Sequence, residues 1–201
     1  MTNNLRKTKL ITLALGCIAI CMAILLGITF SGPTAYALEI DTSTTDNITD
    51  AGGTYAYSAD GKTLMLNGYN GGEIRFDGEN DVTIRLDSGS TNVITLNDST
   101  VTENRYGVYA AGNLTVTGNG TLDINMNISG AGDEITTEYG KALYGLYAKN
   151  LTINGEINVN VNLTSNGFSC GMFATGDITV ADKANVDIKC RSKYKNTEFY
   201  S

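Results

Sequence analysis

The chain has 201 residues, 14 basic against 21 acidic side chains, a net charge of −7, and neither histidine nor tryptophan. Without histidine, Ser-His-Asp and Cys-His catalysis are excluded. With only four cysteines, none of them clustered, the usual zinc sites are excluded too. The acidic balance speaks against nucleic acid and against electrostatic docking on anionic lipid.

Residues 1–37 read as a signal peptide. Arg6, Lys7 and Lys9 form its positive start, Leu10 to Phe30 its apolar stretch, and Ala35-Tyr36-Ala37 a small-x-small cleavage signal that places the mature start near Leu38. The apolar run of 21 residues is also long enough to span a bilayer, so an uncleaved N-terminal membrane anchor is the alternative. Either way the rest of the chain is expected outside the cell, secreted or associated with the cell surface or wall. Those remaining 164 residues carry 11 basic and 21 acidic side chains, a balance that suits solubility and attracts divalent cations.

Residues 38–52, rich in Thr and Asp, read as a flexible spacer. Residues 53–72 read as an N-terminal capping hairpin. Its strands are Thr54–Ser58 and Thr63–Leu66, joined at Asp60-Gly61, with a turn over Asn67–Gly72 leading onward. Its expected role is to cover a strand edge that would otherwise invite aggregation.

Residues 73–190 repeat one pattern: an alternating run, a Gly/Asn/Asp corner and a second alternating run. It appears as Gly107-Val108-Tyr109-Ala110-Ala111-Gly112-Asn113-Leu114-Thr115-Val116, again from Gly145 to Ile153, again from Gly171 to Val180, and in degenerate form from Gly72 to Ile84. Such periods mark a solenoid, and the units here are strands rather than helices. Alternate residues of a strand face opposite sides, so aligning the copies defines apolar columns. These are Ile74/Val108/Leu146/Met172 and Phe76/Ala110/Ala148/Ala174 before the corner, then Val82/Leu114/Leu151/Ile178 and Ile84/Val116/Ile153/Val180 after it. A third strand follows at Leu122-Ile124-Met126, Ile157-Val159-Val161 and Val186-Ile188-Cys190. The expected fold is all-β, a right-handed parallel β-helix with three short strands per coil.

The corner column Asp81/Asn113/Asn150/Asp177 suits a sharp turn and a side-chain ladder, which accounts for the recurring Asn-Leu-Thr without glycosylation. The interval of 38 residues from Gly107 to Gly145, against 26 to Gly171, places an insertion at Ser129–Lys141. Cys190 falls in an inward column and Cys170 in that of Tyr106 and Tyr144, so no disulfide between them is expected. Arg191–Ser201 reads as a tail with no capping helix, from which either continuation of the natural protein or self-association through the C-terminal coil is expected.

The stretch Asp60-Gly61-Lys62-Thr63-Leu64-Met65-Leu66-Asn67-Gly68-Tyr69-Asn70-Gly71-Gly72, followed by repeated Tyr-Gly-aliphatic-Tyr-Ala and Asn-Leu-Thr, resembles exported surface β-helix proteins of Gram-positive bacteria known as carbohydrate-binding domain-containing proteins. The resemblance covers about residues 53–190. It implies a surface module, and for some relatives the binding of acidic polysaccharide with calcium.

The residues themselves point to the outward aromatics. Tyr109, Tyr147 and Phe173 share one column and Tyr106 and Tyr144 another. Pyranose rings pack their C–H faces on aromatic rings, and Tyr adds a hydroxyl, so this row is the expected contact for a polysaccharide or cell-surface glycan. Stacked aromatics that only stabilise neighbouring strands are the competing reading. Asp77, Glu79 and Asp81 lie within five residues at a corner and are the candidate ligands for calcium. Two further functions stay open beside non-catalytic carbohydrate binding. One is a structural spacer or adhesin module without a small ligand. The other is a calcium-dependent polysaccharide lyase, for which Arg75 and Arg85 stand beside Asp77, Glu79, Asp81 and Asp87.

Overall fold

The computed structural model describes residues 37–98, 103–128, 142–165, 167–192 and 195–200. The apolar N-terminal stretch and the insertion at 129–141 lie outside the described residues. Among the described residues there is no helix, and so none long and apolar enough to cross a membrane.

The strands in chain order are β1 (Leu38–Asp41), β2 (Ile48–Thr49), β3 (Tyr55–Ser58), β4 (Thr63–Leu66), β5 (Asn70–Gly71), β6 (Ile74–Asp77), β7 (Val82–Leu86), β8 (Thr91–Asp98) and β9 (Arg105–Ala110). They continue as β10 (Leu114–Gly118), β11 (Thr121–Ile128), β12 (Leu143–Ala148), β13 (Leu151–Ile153), β14 (Asn158–Ser165), β15 (Phe168–Ala174), β16 (Ile178–Val180), β17 (Asn185–Ser192) and β18 (Lys195–Tyr200). They form three sheets. The first has the order β1-β6-β9-β12-β15-β18, the second β16-β13-β10-β7-β4-β3-β2, and the third β17-β14-β11-β8-β5. From β4 onward the chain visits the second, third and first sheets in strict rotation. All pairings are parallel except those of the N-terminal hairpin, β2 with β3 and β3 with β4.

Register follows the aligned columns. Ile74 pairs with Val108, Val108 with Leu146 and Leu146 with Met172. Val82, Leu114, Leu151 and Ile178 are likewise in register, as are Ile84, Val116, Ile153 and Val180. The side chains of Ile74, Val108, Leu146, Ile84, Val116 and Ile153 are fully buried in one continuous apolar core. At roughly 1.5–3 kcal/mol for each fully buried aliphatic side chain, these columns are the main source of stability.

The first sheet departs from simple alternation. Leu146 is buried in the main core, while a Cβ on the preceding Gly145 would meet Val161, itself a core residue of the third sheet. Gly107 likewise faces Ile124. Two consecutive residues therefore point inward, and the strand kinks as at a β-bulge. The kink recurs in β9, β12 and β15, so the rungs still stack. It also turns Tyr144 and Tyr147, three residues apart, onto the same outer face, where both belong to a second, smaller cluster.

Three segments differ from expectation. The stretch 38–52 is not simply a spacer: β1 pairs in parallel with β6 in full register, and Ile40 is buried in the core opposite Phe76. One well-placed Ile in Leu38-Glu39-Ile40-Asp41 is enough to anchor a strand whose backbone finds a ready sheet edge. The tail at 191–201 is not separate from the repeat either. β17 runs to Ser192, and β18 pairs in parallel with β15. Finally, Asn70–Gly71, expected as a turn, is the edge strand of the third sheet.

At Thr91–Asp98 an asparagine stands in an inward column. Asn92 is in register with Leu122 and fully buried. It is tolerated because its amide is fully used: its oxygen accepts the Tyr69 N–H at 3.0 Å, and its nitrogen donates to Ser90 Oγ at 2.9 Å and to the Thr121 carbonyl at 3.2 Å. Neither Cys170 nor Cys190 is in a disulfide. Cys170 is buried in the outer cluster, where burial pushes its thiol up to about 12, while Cys190 packs against the main core.

Candidate functional site: the aromatic face and the corner beside it

The outer face of the first sheet carries a column five residues long. Glu39 pairs with Arg75, Arg75 with Tyr109, Tyr109 with Tyr147, and Tyr147 with Phe173; in backbone register Tyr200 follows Phe173. The rings of Tyr109 and Tyr147 lie 5.3 Å apart at 21°, and those of Tyr147 and Phe173 4.9 Å apart at 8°. Tyr106 and Tyr144 form a second stack, 5.4 Å apart at 13°. The two stacks meet edge to face: Tyr144 packs against Tyr147 at 77° and against Phe173 at 70°. Phe168, which sequence reasoning missed, closes the cluster against Tyr144 at 6.1 Å. Its signal was available two residues before Cys170, in the column next to Tyr144.

This geometry decides what the rings can do. Parallel rings at this spacing cover one another's faces. The Arg75 guanidinium lies 4.9 Å from the Tyr109 ring centroid, on the column's other neighbour. Both faces of Tyr109 and of Tyr147 are thus covered, by one another, by Arg75 and by Phe173, and are closed to a stacking pyranose. Tyr144, at 5% exposure, is closed to any ligand by burial alone. Each aromatic pair contributes about 0.5–1.5 kcal/mol beyond its buried area, so the double stack is a substantial stabiliser. Burial also pushes the Tyr106 and Tyr147 phenols above their ordinary range.

Arg75 is held by Glu73. Its Nη1 lies 2.8 Å from Glu73 Oε1, and Arg105 Nε lies 3.6 Å from the other carboxylate oxygen. Glu73 is only 5% exposed, and burial raises its pKa above the usual 4.5 despite both cations. Arg75 is shifted upward as well: burial pulls it down, but the bond and charge of Glu73 outweigh that. The two shifts differ in what they say of the pair, and the burial of the carboxylate governs Glu73 because it is the more enclosed partner. A carboxyl with a raised folded pKa contributes most below its unfolded value, and the contribution is lost as pH rises through the folded value. The contribution of Glu73 to the melting temperature is therefore expected to fall as pH rises from about 4.5 toward neutrality, and Glu73→Gln should remove that component of the wild-type slope. Parallel pH–melting curves for the two proteins would refute the assignment.

Beside the column, at the corner between the first and second sheets, lies a shallow groove of about 370 Å³. Glu79, Asp81, Tyr109, Tyr147, Lys149 and Thr175 line it. The corner is rigid. Asp81 Oδ1 accepts the Asn113 N–H at 3.1 Å, Asn150 Nδ2 donates to Asn113 Oδ1 at 2.7 Å, and Asn150 Oδ1 accepts the Asp177 N–H at 2.8 Å. This is the ladder read from the repeated corner residues. Lys149 follows Ala148 directly in the repeat, so its place beside the Tyr column was available from alignment alone.

Of the candidate calcium ligands, Asp81 is committed to the ladder and Glu79 joins it in the groove. Asp77 is absent from the groove lining; its carbonyl accepts Thr42 N–H at 2.9 Å and Thr42 Oγ1 at 2.6 Å. Among the described residues no three acidic, Cys or His side chains gather as a cation site would need. Arg75, engaged by Glu73 and the Tyr rings, is not set out as a base toward the groove.

Fold and face together define an all-β protein of three parallel sheets with a stacked aromatic ladder on one outer face and a polar groove along its flank. No family model, curated protein or solved structure matches the chain.

Proposed function

We propose that the three sheets are the walls of a right-handed parallel β-helix of three strands per coil, and that the molecule is a non-catalytic, exported module of the cell surface or wall which binds polysaccharide along the corner groove. The observation that carries this reading is the lining of the groove. Phenol edges of two successive rungs, two carboxylates, an ammonium group and a hydroxyl stand along one flank. Sugar hydroxyls donate and accept together, and a row of mixed donors and acceptors that spans successive coils suits an extended glycan. The likeness of the repeated Tyr-Gly-aliphatic-Tyr-Ala and Asn-Leu-Thr segments to exported carbohydrate-binding proteins supports it. Calcium would enter as a bridge between the ligand and Glu79 or Asp81.

The test is retention on a glycan array, with and without calcium, of wild type and of Tyr109→Phe/Tyr147→Phe. Phenyl rings keep the stacking and lose the hydroxyls. Retention is expected to fall about tenfold, as for two lost hydrogen bonds, with the melting temperature unchanged. Undiminished retention by the double variant would place the binding elsewhere. A second reading has its own observation: the faces of Tyr109 and Tyr147 are taken up by one another, by Arg75 and by Phe173. A ladder so closed serves a structural spacer or adhesin module equally well. A wild-type chain that holds no glycan would select it.

A further inference from the structure

Both carboxylates of the groove stand on one corner. Glu79 and Asp81 lie between β6 and β7, while Lys149 lies on the corner between β12 and β13. Residues 77–81 are exposed, so hydrogen bonds rather than packing set their places. In the later rungs the backbone supplies the tie: the Lys149 N–H donates to the Gly112 carbonyl at 3.0 Å, and the Gly176 N–H to the Lys149 carbonyl at 2.8 Å. Between Glu79 and Asp81 a side chain supplies it. Asn80 Nδ2 donates to the carbonyl oxygen of Thr42 at 3.1 Å and to Thr42 Oγ1 at 3.2 Å. Thr42 follows β1 directly and is fully buried. Its N–H and its hydroxyl both donate to the Asp77 carbonyl, and its own carbonyl also accepts from Lys62 Nζ at 2.6 Å. Gly78 adopts a φ of +97°, and a Cβ there would stand 2.6 Å from Thr42 Oγ1. In the next rung a Cβ on Gly112 would run into the carbonyl oxygens of Glu79 and Asn80. The corner is clamped between the end of β1 and the rung above it.

We propose that Thr42 and Asn80 are positioning residues of the groove, and that docking of β1 and occupation of the groove are coupled through them. The inference rests on the reading of the groove as a polysaccharide site. Asn80 is not among the lining residues; it acts through its two neighbours in sequence, Glu79 and Asp81, which are. With its amide held by Thr42, the carboxylates on either side are set before a ligand arrives. Without that hold, the ligand must order an exposed corner as it binds, and affinity falls by that cost. The coupling runs both ways: if docked β1 favours binding, a bound ligand holds β1 down to the same degree. β1 is a strand that can respond. Of its four side chains only Ile40 is buried, and segments with few buried apolar contacts open most readily.

The test combines retention on a glycan array with amide hydrogen exchange, on the full chain expressed in an exporting host. Asn80→Ala removes both bonds to Thr42 and should lower retention about tenfold. Thr42→Val, which loses only the hydroxyl, should lower it less, and Thr42→Ser should restore it. Asn47→Ala is the control for a general loss of stability: Asn47 Oδ1 accepts the Ala59 N–H at 2.9 Å, away from the groove, and its loss should leave retention as it is. The retained glycan should slow exchange of the Thr42 N–H in wild type and fail to do so in Asn80→Ala. One reporter needs no glycan. The Asn113 N–H is held by Asp81 Oδ1 at 3.1 Å, and its exchange should quicken about tenfold in Asn80→Ala. Undiminished retention by Asn80→Ala overturns the proposal, as does an equal loss in Asn47→Ala. If wild type retains no glycan, the polysaccharide reading falls by itself. The hold of Asn80 on the corner is then decided by Asn113 alone: faster exchange upholds it, and unchanged exchange overturns it.

Discussion

Ile153→Asp is expected to abolish the cooperative melting transition. Ile153 is fully buried and stands in register with Val116 on one side and Val180 on the other. An aspartate there has no cation or donor within the apolar core, and an isolated buried carboxylate costs several kcal/mol. Total stability for a domain is roughly 5–15 kcal/mol, so one such change removes most of it. The position has one partial escape, because Val180 in the next rung is already 45% exposed. Opening of β16 alone would let water reach the new charge. Ile124→Asp has no such route, since Ile94 and Val161 on its two sides are both fully buried. The second variant should therefore be the worse of the two, with no folded fraction by circular dichroism. A wild-type melting curve for either variant would contradict the register on which the whole stack rests.

That register was legible because the repeat is written in two independent signals. Apolar residues at alternate positions assign the faces, and the Asn/Asp corner fixes where each copy starts; both agree in every coil from Val82 to Val180. Legibility failed where one signal was missing. Thr91–Asp98 is a strand whose inward column opens with Asn92 while Val93 points outward, so its pattern reads against its own position. Only the tertiary partners of the Asn92 amide make that arrangement tolerable. Leu38–Asp41 offers a single buried residue, Ile40, too little pattern to separate a strand from a polar spacer. Lys195–Tyr200 is ordered by pairing with β15 rather than by any alternation of its own. The aromatic residues were legible as columns in register, with glycan contact and structural stacking as the two readings of them. Column membership follows from alignment, but whether rings present faces or edges depends on how close the neighbouring rungs lie. The inward kink at Gly145, which brings the two tyrosine stacks together, has no signature in alternation at all.

That kink makes Gly145→Ala the second large expected effect. Gly145 does not adopt the left-handed φ that favours glycine, so the requirement for glycine is one of space and not of dihedral angle. A Cβ at this position would run into the Gly171 carbonyl oxygen of the adjacent strand and into Val161 of the third sheet. The side chain of Val161 can turn away in part, but the backbone oxygen cannot move without parting β12 from β15. Overpacking of this kind typically costs about 1–3 kcal/mol, and the obstruction by backbone puts this case at the upper end. For a domain of this size that corresponds to a fall in melting temperature of roughly 5–10 °C. The damage should also be directional. Spreading these two strands separates Tyr147 from Phe173, now 4.9 Å apart, and tilts Tyr144 out of its edge-to-face contacts. Near-ultraviolet circular dichroism, which reads the asymmetry of the tyrosine surroundings, should weaken well before the far-ultraviolet β signal changes. Gly61→Ala is the matched control: it lies in the exposed hairpin turn, its nearest neighbour would be at 3.4 Å, and it should leave both spectra and melting temperature as they are. If Gly145→Ala melts with wild type and keeps its tyrosine signal, the inward kink is not what positions the aromatic face, and the stacked column must be held by ring packing alone.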